Sequence, residues 1–167
     1  MLLLDDERYD TVWNRVYNEL GFHPGMREAF PFDIKAPHAV YSVSKMTAKQ
    51  IDVMEKTAWE IFARISDGNT YALDWQHSAL LYDPRDPDEK RDFWVDNENY
   101  WDGGYNVYFP SFFPDGDYYF FIAEDFSFGW LGHPWRQEVW IFGEELLSEI
   151  EAVYMNFGWT RKGGQNG

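Results

Sequence analysis

Apolar positions recur along this chain at two spacings, and these divide it into helices and strands. From about Asp6 to Leu20, Tyr9, Trp13, Val16, Tyr17 and Leu20 fall at helical spacing, and Gly21 supplies a stop. Thr47 followed by Gln50 reads as a capping box, and Ile51, Met54, Ala58, Ile61, Phe62 and Ile65 continue from it as an apolar stripe to Ser66. Glu144 to Phe157 predicts a third helix, with Leu146, Leu147, Ile150, Val153, Tyr154 and Phe157 on one side and Gly158 at its end.

Between the helices the period falls to two. His38 to Ser44 alternates Ala39, Tyr41 and Val43 against Val40, Ser42 and Ser44, and Tyr71, Leu73 and Trp75 begin a strand that runs past His77 to Leu81 and Tyr82. Further strands are expected at Tyr105–Phe109, Tyr118–Ala123 and Glu138–Phe142, separated by Pro114-Asp115-Gly116 and Gly132-His133-Pro134. Phe22 to Pro37, with three prolines, reads as an ordered loop, Asp83 to Asp102 as a charged loop or hairpin tip, and 161–167 as a flexible tail. The expectation is one α+β domain over residues 1–160, an antiparallel meander of about five aromatic-rich strands packed with about three helices.

Composition sharpens this picture. Of the 167 residues, 20% are aromatic, roughly twice the usual share, so rings dominate the core, and some are candidates to line an exposed surface. The net charge of −15 argues against nucleic acid as a ligand; it would attract a basic protein partner by electrostatic steering, or simply keep the fold soluble. The absence of cysteine excludes disulfides and thiolate chemistry and agrees with a reducing, cytoplasmic setting. The opening Met1-Leu2-Leu3-Leu4 runs directly into Asp5, Asp6 and Glu7, unlike a signal peptide, and no stretch reaches the ~20 apolar residues of a membrane span.

Signatures for phosphate loops, dinucleotide folds, nucleophile elbows, zinc helices and EF-hands are all missing, and no cofactor is implied. The candidates for chemistry are therefore isolated polar groups. In Asp74-Trp75-Gln76-His77 an extended strand puts Asp74 and His77 on opposite faces, and only a bend brings them together. Joined by His133 or Glu124, they would form a general-base pair or a zinc- or iron-type ligand set. Glu124 and Asp125 leave the end of an apolar strand as paired carboxylates, or simply as a surface turn, and Asp115-Gly116-Asp117 reads as a hairpin turn. For recognition, Trp94, Tyr100 and Trp101 lie in the acidic stretch, and Trp135 and Arg136 follow His133 in a short loop.

The block Pro114-Asp115-Gly116-Asp117-Tyr118-Tyr119-Phe120-Phe121, with Glu124 to Gly129, Gly132-His133-Pro134-Trp135 and Ile141 to Leu146, resembles the bacterial domain of unknown function family 2716. Asp74-Trp75-Gln76-His77 is also similar to part of that pattern. The resemblance implies a small bacterial cytosolic protein and carries no activity, catalytic residue or cofactor. Three functions remain in view: an acidic binding protein of the immunity or regulatory type, an enzyme working from an Asp/His/Glu pocket with or without a metal, and a sensor holding an apolar ligand.

Overall fold

The computed structural model of the chain describes residues 1–26, 31–89 and 91–165. The parts of the expected first loop at 27–30, of the charged loop at Lys90 and of the tail at 166–167 lie outside those residues. Helix α1 is Asp6–Glu19, α2 is Ala48–Ile65 and α3 is Glu144–Val153, the last prolonged by a 3-10 turn, Tyr154–Phe157. The strands are β1 Leu2–Leu3, β2 His38–Ser42, β3 Thr70–Asp74, β4 Ser78–Tyr82, β5 Phe93–Asp96, β6 Gly104–Val107, β7 Tyr119–Ala123, β8 Gly129–His133, β9 Glu138–Phe142 and β10 Thr160–Gln165.

Eight strands form one sheet in the order β1-β4-β3-β7-β8-β9-β2-β10, with antiparallel pairing throughout, while β5 and β6 form a separate hairpin. The fold is α+β with three helices, as expected, but its main sheet has eight strands where about five were expected. The strand expected at Tyr105–Phe109 pairs only with β5, outside this sheet, and β1 was not expected; three further changes make up the rest. The single strand expected from Tyr71 to Tyr82 is a hairpin, turned at Trp75-Gln76-His77 with Gln76 at φ 64°. Gly129–His133, whose last two residues were expected in a turn, is β8 and is buried at all five positions. The expected tail from Arg161 instead pairs with β2 as β10, because an edge strand is held by backbone hydrogen bonds and requires no apolar side chains.

Helix ends follow local chemistry. Thr47 and Gln50 close the expected capping box on α2, and Asp5 caps α1 by accepting from the Arg8 amide at 2.9 Å. At the start of α3, Gly143 adopts φ +91°, and a Cβ there would come within 2.5 Å of both Phe128 Cβ and Ser127 O. Only glycine fits that turn.

Both sheet faces are covered, and the alternation of each strand assigns side chains to one layer or the other. Ala72, Phe121, Ala123, Trp130, Val139 and Ile141 face α2 and α3, while Leu73, Phe120, Ile122, Leu131, Trp140 and Phe142 face α1 and the loop carrying Phe22, Phe32 and Ile34. Phe121 has no solvent exposure and stacks on Phe112 with centroids 3.8 Å apart. The Trp130 indole N–H donates to the Phe112 carbonyl at 3.0 Å, which fixes that loop against the sheet. Phe121→Ala should therefore cost about 3–5 kcal/mol, read as a fall in the urea midpoint at unchanged slope. A loss below about 1 kcal/mol would show that this layer can collapse around the cavity.

Candidate functional site

The β5–β6 hairpin is amphipathic across its width. Phe93, Val95, Tyr105 and Val107 turn inward onto the α2 layer, which leaves Trp94, Asp96 and Asn106 facing outward in the same register. Asn97 closes the connecting turn, its side chain accepting from the Asn99 amide and its own amide donating to Gly103 O at 2.8 Å. Trp101 sits in this turn and is 97% exposed, in company with Trp94 at 46%, Tyr100 at 49% and Tyr108 at 65%. Two of these rings are held in place: Trp94 Nε1 donates to Asp96 at 3.0 Å and Tyr100 packs on Tyr105 with centroids 5.0 Å apart.

From residue 91 to 109 there are four carboxylates, Asp92, Asp96, Glu98 and Asp102, against the single guanidinium of Arg91. Asp92 accepts from the Phe109 amide, and Arg91 lies over the Trp59 ring at 4.4 Å. Exposed rings interleaved with carboxylates can supply apolar contact area and attract cationic side chains from the same surface.

The sequence-derived polar candidates occupy three separate places. Asp74 and His77 do meet, because the β3–β4 turn bends between them: His77 Nδ1 lies 3.0 Å from Asp74 and 3.8 Å from Asp117. These three side chains offer ligand atoms within 4.8 Å of one another. Asp117 was read only as a turn residue, and its part here follows from β7 pairing with β3, which local sequence does not show. Glu124 and Asp125 lie beyond the far end of β7, about 17 Å away at strand rise, beside a cleft of about 540 Å³ lined by neither histidine.

His133 is fully buried and lies two residues beyond Leu131, which faces α1, whereas Asp74 lies two residues beyond Ala72, which faces α2. Alternation thus turns the two groups to opposite faces of the sheet. The Arg136 amide donates to His133 Nδ1 at 3.3 Å, so the ring proton sits on Nε2, directed at the Tyr118 hydroxyl 3.3 Å away. That hydroxyl donates to Gly25 O and accepts from the Gly25 amide, which ties the loop before β2 to the sheet. Trp135 is 46% exposed and packs edge-on against Tyr118, and Arg136 turns away to form a two-toothed ion pair with Glu138.

Two titrations follow from these geometries. The hydrogen bond that His77 donates to Asp74, offset in part by burial, raises the His77 pKa, so its NMR titration midpoint should exceed that of a free histidine and fall in Asp74→Asn. Equal midpoints in the two proteins would refute the contact. Burial lowers the His133 pKa from 6.5 to about 4. Between those values the unfolded chain binds a proton that the folded chain refuses, so stability is intact above pH 6.5 and falls by roughly 3 kcal/mol as the pH drops to 4. Urea titrations should show a pH slope one proton steeper for the parent than for His133→Gln; identical slopes would place the imidazole in contact with water.

An antiparallel sheet with helices on both faces, carrying an exposed acidic hairpin, defines an α+β protein. The chain belongs to the family described as "Protein of unknown function (DUF2716)", whose pattern matches residues 3–147. It is similar to the uncharacterized protein YxiI of Bacillus subtilis (strain 168), 32% identical over 161 residues and covering 89% of this chain and 90% of the relative. No solved structure matches it significantly. Among the described residues, no helix is long and apolar enough to cross a membrane.

Proposed function

We propose that this chain is a non-catalytic binding protein, of the immunity or regulatory type, whose β5–β6 hairpin docks on a basic protein partner. The observation that carries this reading is Trp101, 97% exposed at a hairpin tip and flanked by Asp96, Glu98 and Asp102. Apolar rings gathered on a surface with no internal use mark contact sites, and tryptophan and tyrosine are the residues that most often dominate such contacts. The carboxylates select the sign of the partner and speed its approach. The same charge disfavours nucleic acid.

The alternative is an enzyme using Asp74, His77, Glu124, Asp125 and His133. It has weaker support, because those side chains stand in three places and one of them is fully buried.

The test uses tagged protein as bait in a lysate of the organism that encodes it, alongside the double variant Trp94→Ala, Trp101→Ala. The expected result is one basic protein that is retained at low salt and released at high salt. Its affinity, remeasured with purified components, should fall at least about a hundredfold in the double variant, as for loss of two contact hot spots. Both side chains are substantially exposed, so the variant should melt within a few degrees of the parent. Retention of the same protein by the variant, or a partner of neutral or acidic character, would overturn the proposal.

A further inference from the structure

At the opposite edge of the main sheet lies a cleft of about 600 Å³, walled by Phe32 and Ile34 of the loop before β2, by Val40 and Trp140 of the sheet, and by β10. Its volume lies within the range of small-molecule sites. At its base the Glu138 carboxylate is only 2% exposed and takes hydrogen bonds from two cations, Arg136 through Nε and Nη2 and Lys162 through Nζ. Lys162 reaches this position because β10 bulges between Arg161 and Gly163, leaving it without a paired residue in β2. Such bulges re-aim side chains.

The charges do not cancel. One cation suffices to balance a buried carboxylate, and here a second is present. Lys35, on the rim, is already matched by Asp33, with both carboxylate oxygens 2.7 Å from its Nζ. The cleft therefore holds one surplus positive charge in a chain whose net charge is −15. Among the described residues Arg136 Nη1 has no partner, and two of the three Lys162 ammonium protons are likewise uncommitted. Beside these donors the walls are aromatic, and the His38 ring lies nearly parallel to Trp140, at 12° and 6.0 Å.

We propose that this cleft binds a small organic monoanion with a planar apolar body, an aromatic carboxylate, whose carboxylate meets Arg136 and Lys162 and whose ring lies along Phe32, His38 and Trp140. A monoanion neutralises the surplus charge, whereas a phosphate dianion would overshoot it, and a ring matches the walls where a small hydrated ion would not. The site is independent of the hairpin and stands or falls separately from partner docking.

The test is a titration of isotope-labelled protein with benzoate, followed at the Trp140 indole N–H and at the Gly163 and Gly164 amides, with benzamide and inorganic phosphate as probes lacking the charge or the ring. Benzoate should give saturable shifts at millimolar concentration, with benzamide and phosphate at least about fivefold weaker. Lys162→Met should weaken benzoate about tenfold, while Lys35→Met leaves it unchanged. Should Lys162→Met fold poorly, the salt dependence of benzoate affinity in the parent supplies the same information, since an ion-paired carboxylate weakens as ionic strength rises. Absence of saturable shifts, an unaltered affinity in well-folded Lys162→Met, or phosphate binding as tightly as benzoate would each overturn the assignment.

Discussion

The rings of Phe120 and Phe121 leave β7 in opposite directions, one into the layer beneath α1 and the other into the layer beneath α2, so the central strand has no face in water. The other strands are arranged around that constraint. Strand β8 beside it, and β9 beyond that, also alternate between two apolar layers and are buried at all five of their positions. A register slip of one residue would exchange the layers wholesale, driving Trp130 toward α1 and Leu131 toward α2. The aromatic content follows from the same requirement, since two layers flanking one sheet must be filled by a chain of modest length.

This constraint also explains which parts of the fold could be read in advance. Helix α2 was legible because a capping box and an apolar stripe agreed on its limits. Strands β7 and β9 were legible as short apolar runs between turn formers. The turns at Gln76 and Gln137 were not, because each places a non-glycine residue in the left-handed region; Phe126 does the same in the turn that was expected at Glu124-Asp125. A residue there carries about 1–2 kcal/mol of strain and leaves no glycine signal in the sequence. At Gln137 the surroundings hold that conformation, since its side-chain amide donates to the carbonyls of both Pro134 and Pro114. Strand β10 was hidden for the opposite reason, being polar and stabilised by an edge that belongs to β2.

The same division runs through the candidate sites. The exposure of Trp94, Tyr100, Trp101 and Trp135 was foreseeable from their polar settings, because a ring among carboxylates has no layer to enter. The meeting of Asp74 with His77 was foreseeable only on condition of a bend, and the bend came without its usual residues. Arg136 was noted as a neighbour of Trp135, yet its structural partner is Glu138, with Lys162 arriving from a segment expected to be a tail. No local pattern encodes that triplet, because it depends on β10 lying beside β2 and on a bulge within it.

Charge ties the two proposed surfaces together without coupling them. The sheet places the β10 edge seven strand spacings from β1, roughly 30 Å away, and Met1 and Phe93 border a common cleft, which puts the hairpin near the β1 side. Screening in physiological salt acts over about 8 Å, so the overall −15 matters less at either place than the charges immediately around it. Near the hairpin those charges are four carboxylates against one guanidinium, and in the cleft they are two cations against one buried carboxylate. A ligand that suits one surface is repelled by the other, so a basic protein and an organic anion could be held at once, each sorted by sign before any contact is made.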